Sequence, residues 1–264
     1  MVRLRVLGGF ALESSAGIPV GPLSQRRAEA VLTILALAGD LGCTRDRLVA
    51  LLWPESDGVH AHHNLRDALH AIRHTLGAEV IVGAGATIRL SASADSDVRE
   101  FLRALAAAEL TEAVALYGGP LLDGFHVERA AEFEHWMDRW RSRLLRECMD
   151  AVERLAEDAE HGERWRDASK WWARAEELDP FCTPVVVRRM RALARAGDVA
   201  NALKDGEAHH RRLVEEFDVE PDVALFDEVV RLRGGSVRPV QAESPSAPRR
   251  GQIRRHPGVK GKGS

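Results

Sequence analysis

Apolar residues recur at three- and four-residue spacing through several long stretches of the chain and at alternate positions in a few short ones. The most informative stretch is Leu51 to Gly77. Leu48, Leu51, Leu52 and Trp53 form an apolar run that Pro54 ends, because proline has no place in a helix interior, and Asp57-Gly58 adds a turn signal. A new helix is expected to start near Val59 to Ala61. In it Leu65, Ala68, Leu69, Ile72 and Leu76 make one buried stripe, and Arg66, His70, Arg73, His63 and His74 project from the other side. Gly77 is its stop. Val80 to Val82 and Thr87 to Leu90 then flank a glycine-rich turn and read as a β-hairpin. Helix, helix and hairpin predict a winged helix-turn-helix, whose second helix enters the major groove.

Upstream, residues 2 to 20 read as a small antiparallel platform with strands at Val2 to Leu7 and Phe10 to Glu13 and a further one at Ile18 to Val20. Ser24 is the expected cap of a helix from Gln25 to Ala38, with Ala28, Val31, Leu32 and Leu35 as its stripe, and Thr44 caps a helix from Arg45 to Trp53. Trp53 reads as core rather than as a base-stacking residue. Downstream, the small polar residues 91 to 96 read as a linker. The rest is almost wholly helical: Asp97 to Glu109, Leu110 to Leu116, then Ala131 to His161 after the Gly118-Gly119-Pro120 and Asp123-Gly124 breaks. Trp165, Ala168, Trp172, Ala175 and Leu178-Asp179-Pro180 match a tetratricopeptide-like helix, with a looser copy after Gly197, about 35 residues on. Stacked helix pairs of that kind make protein-binding surfaces, and the tryptophans read as packing. The fold class is mainly α.

Several segments also resemble one family. Leu4 to Leu12, Ser24-Gln25-Arg26-Arg27, Arg47-Leu48 with Leu51 to Pro54, and Asn64-Leu65-Arg66 with Ala68-Leu69, Ile72-Arg73 and Leu76-Gly77 look like the SARP/BTAD bacterial transcriptional regulators. So do Leu116 to Phe125, Glu132 to Trp136, Leu178 to Pro180 and Val219 to Pro221. The resemblance covers about Leu4 to Leu232. It implies a winged helix of the response-regulator effector type followed by a helical bacterial transcriptional activator domain. By the same resemblance, such proteins bind promoter direct repeats as double-stranded DNA and help to engage RNA polymerase.

Charge sharpens and complicates this picture. The net charge is −3, but residues 1 to 93 carry nine Lys and Arg against eight Asp and Glu, and residues 234 to 264 carry seven against one. A nearly neutral DNA-reading unit is weak electrostatic support, since nonspecific affinity comes mostly from phosphate neutralisation. The cations are instead placed on particular elements. Arg26, Arg27, Arg45 and Arg47 near helix starts are candidates for phosphate contacts, solvated surface arginines being the equal alternative. Arg66, His70 and Arg73 are assigned to the groove, His62, His63, Asn64 and His74 to its margins, and Arg89 to the wing. Asn64 and Arg66 follow the family pattern, whereas the histidines are peculiar to this chain. Because imidazole titrates near neutrality, DNA binding is expected to be tighter near pH ~6 than near pH ~8.

No catalytic site is expected. His63, Asp67, His70 and His74 share a helical face, but one straight helix cannot wrap four ligands around a tetrahedral ion, so neither a metal nor a cofactor is assigned. The phosphate-cradling, nucleophile-elbow, metalloprotease and dinucleotide glycine patterns do not occur. Cys43, Cys148 and Cys182 lack disulfide-framework or CxxC spacing and suit a reducing cytoplasm. MVRLRVLGGF develops no apolar core of leader length, and no run is long enough for a membrane span.

The expected organisation is therefore a DNA-binding unit over 1–93, a helical activator unit over 95–233 and a disordered basic tail over 234–264. A sequence-specific regulator, more an activator than a repressor, is the favoured function, with a homodimer on DNA left open. A helical-repeat adaptor without specific DNA binding is the alternative.

Overall fold

The structure, a computed structural model, describes residues 2–14, 17–21, 23, 25–83, 85–220 and 222–235. Strands β1 (Val2–Arg5) and β2 (Ala11–Ser14) pair antiparallel with Leu4 opposite Leu12. Both leucines are buried while Arg3 and Arg5 face outward, as alternation requires. The first strand is shorter than its apolar pattern predicts. Val6 and Leu7 leave the ladder and give their N–H groups to the Asp97 side chain.

Helix α1 (Arg26–Ala38) is buried from Ala30 to Leu37, so it is central rather than amphipathic. Its observed cap position is Gln25, which makes no side-chain hydrogen bond. Ser24, the expected cap, lies outside the described residues. A 3-10 turn at Gly39–Leu41 leads to β3 (Cys43–Thr44), and the Thr44 hydroxyl accepts the Arg47 N–H at the start of α2 (Arg45–Leu52). Trp53 closes this helix and is buried. Helix α3 (Gly58–Leu76) follows, capped by Asp57, and then β4 (Ile81–Val82) and β5 (Thr87–Leu90) form the expected hairpin. The two-residue β3 pairs with β5 as well, so the wing is a three-stranded sheet of order β3-β5-β4.

The segment read as a linker is not one. Ala94–Ser96 is a strand, β6, that runs parallel to β1 and completes a second sheet of order β2-β1-β6. Its small residues fit because Ala94 and Ser96 are buried beneath neighbouring elements. Beyond it lie α4 (Asp97–Ala106), α5 (Leu110–Leu116), α6 (Ala131–His161), α7 (Trp165–Leu178), α8 (Thr183–Arg195), α9 (Val199–Phe217) and α10 (Val223–Gly235). The helix from Asp97 stops at Ala106, three residues before the expected Glu109, because Ala108 turns to a φ of 58°. Helix α10 carries Gly234 and Gly235, so the tail begins later than its composition predicts. From residue 236 that tail lies outside the described residues.

Consecutive helices from α6 to α9 pack against one another, as stacked repeats do. Trp53, Trp136 and Trp172 are buried, and Trp140, Trp165 and Trp171 are half-buried, so all six pack. The Trp172 indole N–H donates to Glu160 at 2.7 Å. One continuous hydrophobic core reaches from Leu4 to Ala192, with a smaller cluster of Val186, Val187, Met190, Ala202, Leu225 and Leu232 at the end of the stack. The wing, α2 and α6 are joined through that core, which holds α3 in a fixed setting.

Candidate nucleic-acid interface

Helix α3 begins where Asp57 supplies a cap. Its carboxylate accepts the His60 N–H at 3.0 Å and meets the His60 ring Nδ1 at 2.7 Å. Those bonds hold the Asp57 carboxyl below its ordinary range, the main-chain bond first. The helix ends at Gly77, whose φ of 102° only glycine adopts without strain and whose N–H returns to Arg73 O. Between these ends Ala61, Leu65, Ala68, Leu69, Ile72 and Leu76 are buried against α1 and α2. The opposite face carries exposed His60, His62, His63, Arg66, Asp67, His70 and His74, with Asn64 and Arg73 half-buried at its edges. One face of a single helix thus gathers the seven residues assigned to it from sequence: His62, His63, Asn64, Arg66, His70, Arg73 and His74.

The electrostatics of this face are mixed. Among the described residues the guanidinium groups of Arg66 and Arg73 meet no carboxylate and no hydrogen-bond acceptor, so they are open to an anionic partner. The histidines are partly engaged. His63 lies 3.4 Å from the Asp67 carboxylate and His62 lies 3.5 Å from Asp46 of α2. The His70 and His74 rings stand 6.4 Å apart. Three acidic residues that sequence reasoning left out of the site therefore sit within it. The signal for Asp67 was its spacing four residues after His63, but the approach of Asp46 depends on how α2 crosses α3.

The remaining predicted cations divide into two groups. Arg47 on α2 and Arg89 on β5 are exposed. Arg45 is turned toward the wing, its Nε donating to Gly85 O at 3.0 Å while its main-chain N–H donates to Ala86 O, so it ties α2 to the hairpin turn. At the start of α1, Arg26 lies over the Phe125 ring, 5.3 Å from its centre. Arg27 is a strut: Nε donates to Leu52 O at 3.0 Å, Nη2 donates to Glu128 O at 2.8 Å, and its head lies over Trp53. Both arginines line a cleft of about 920 Å³ between α3 and the segment before α6, whose walls include Asn64, Asp67 and Arg129. The nearness of residues 124–129 to α3 has no signal in the sequence.

No group of three or more His, Cys, Asp or Glu side chains among the described residues is placed to hold a metal ion. No helix among them is long and apolar enough to cross a membrane.

No curated protein sequence matches the chain. A solved structure, Mycobacterium tuberculosis EmbR in complex with a low-affinity phosphopeptide, is similar in fold, with a TM-score of 0.60 at 19% identity. The match covers 89% of this chain and 65% of that one, so this chain spans less than two thirds of its solved relative. Residues 84–231 match the model of the bacterial transcriptional activator domain. That match takes in more than half of the chain and begins within the wing, running through every helix from α4 to α9 and most of α10, and by it the chain belongs to the BTAD family of transcriptional regulators.

Proposed function

We propose that the chain is a cytoplasmic regulator of transcription that reads double-stranded promoter DNA with the outer face of α3 and grips the flanking phosphates from α2 and the wing. The observation that carries this reading is the pair of unpartnered guanidinium groups, Arg66 and Arg73, on the exposed face of a helix set between α2 and a β-hairpin. Arg89 on the wing and Arg47 on α2 are suited to the phosphates on either side of the groove. His70 joins the arginines at the base edges, while His62, His63, Asn64 and His74 act at the margins. Residues 1–93 would read DNA and the helices of 95–233 would contact protein, RNA polymerase being the partner that family membership favours. Activation is the expected direction, and the chain carries no catalytic role.

The test is selection of bound sequences from a random DNA pool by the intact chain, repeated with Arg66→Ala/Arg73→Ala. Enrichment of a tandem motif that collapses in the double variant supports the reading. A folded wild-type chain that enriches nothing overturns it.

A second reading, an adaptor that docks protein through the same unit, is favoured by the carboxylates of Asp46, Asp57 and Asp67 beside His62, His60 and His63, because they would repel phosphate. Salt separates the two. A DNA reader making several phosphate contacts loses orders of magnitude in affinity between about 50 and about 200 mM salt.

A further inference from the structure

Val59 stands out on the outer face of α3. It is 81% exposed, and among the described residues it is the one large apolar side chain on that face. It precedes His63, Arg66 and His70 by four, seven and eleven residues, so all four lie in one row down the helix. It sits in the first turn, the part of a helix-turn-helix reading helix that reaches base edges. Asp57, Gly58, His60, His62, His63 and Arg66 surround it in a shallow open hollow. Gly58 beside it leaves further room, since a Cβ there would meet nothing within 4 Å.

A single exposed valine ordinarily needs no explanation. This one has two features that call for one. A β-branched residue is a poor choice for an exposed helical position, so helix stability does not account for it. Every other exposed side chain in its row is charged or an imidazole, which is the surface an anionic duplex requires, and a valine there adds nothing to phosphate attraction.

We infer that Val59 is a specificity residue whose methyl groups pack against the C5-methyl of a thymine in the major groove. Thymine is distinguished there by that methyl, and apolar side chains are its natural contact. The inference rests on the proposed DNA reading and adds to it a base identity and a residue.

The experiment uses the full chain and the motif enriched from the random pool. Each thymine of the motif is replaced in turn by deoxyuridine, which removes the C5-methyl and leaves the pairing edge intact. Affinity is then measured for the wild type and for Val59→Ala. One position is expected to weaken wild-type binding by about four-fold, the worth of one buried methyl group. At that position alone Val59→Ala should discriminate thymine from deoxyuridine less than the wild type does, its shorter side chain standing back from the methyl group. Its unfolding midpoint should not fall below that of the wild type, because the side chain touches no core and alanine is the better helix former.

A motif in which no deoxyuridine position distinguishes Val59 from Ala overturns this inference and leaves the DNA reading intact. A chain that selects no motif at all overturns both. A lowered unfolding midpoint in Val59→Ala would show that Val59 packs within the free chain, and would also overturn it.

Discussion

Both carboxylate oxygens of Asp97 accept the main-chain N–H of Val6, at 3.0 and 2.9 Å, and one of them also accepts the N–H of Leu7 at 3.0 Å. A residue at the start of α4 thereby closes the end of β1, 91 positions earlier in the chain. Burial pushes the Asp97 carboxyl above its ordinary range, and the three backbone donors, Val98 among them, pull it back. Asp97→Ala would leave three buried N–H groups, those of Val6, Leu7 and Val98, without their acceptor. The expected loss is about 2–4 kcal/mol, read from the urea midpoint. Asp97→Asn retains one acceptor oxygen and should lose less. An unchanged midpoint in Asp97→Ala would remove Asp97 as the pin between sheet and helix.

The arginines assigned to phosphates should separate by role. Arg47→Ala and Arg89→Ala are expected to weaken DNA binding uniformly across sequences, each lowering the slope of log K against log salt by about 0.9. Arg27→Ala behaves differently. Its hydrogen bonds to Leu52 O and Glu128 O are lost, so its unfolding midpoint should fall by more than that of Arg47→Ala. A slope lowered by Arg27→Ala with no change in stability would make it a phosphate contact after all.

The wing depends on Gly83. Its φ is 130°, and a Cβ there would come within 2.5 Å of Thr87 O on the facing strand. Gly83→Ala must therefore strain the hairpin or open it, at a cost of about 1–3 kcal/mol. Because Arg89 pairs across that hairpin through Val82, the substitution is also expected to lower DNA affinity. Thermal unfolding and binding measured on one preparation would check both. A variant with wild-type stability would show that the turn has another conformation available.

How much of this was legible in the sequence follows from the range of the interactions concerned. Helices α3 and α6 were readable because their apolar stripes are local: Leu65, Ala68, Leu69, Ile72 and Leu76 declare a period without reference to the rest of the chain. The wing was readable from β-branched runs around glycines. Strands β3 and β6 were not, since Cys43-Thr44 and Ala94-Asp95-Ser96 become strands only by pairing with β5 and β1. The same limit applies to the candidate site. Its row of basic and imidazole residues lies within one helix, whereas the bond from Arg27 to Glu128 spans 101 positions and Asp46 meets His62 across two helices. Val59 was passed over because periodicity identifies what is buried, and gives no weight to an apolar residue left outside.

His209 carries the last prediction. It is fully buried between α8 and α9, with its Nε2 at 3.0 Å from the Thr183 hydroxyl. Desolvation, and then the nearby Arg212 charge, lower its imidazole below the ordinary value. The unfolded chain therefore takes up a proton that the folded chain resists. The contribution of His209 to stability is complete above about pH 6.5, the ordinary imidazole value, and is lost as pH falls from there toward the lower folded value. His209→Gln has no such proton to take up. Between pH ~7.5 and ~5.5 the urea midpoint of the wild type should drop further than that of His209→Gln, narrowing or reversing the gap between them. Parallel losses in the two proteins would assign the acid sensitivity of the helical stack to other groups.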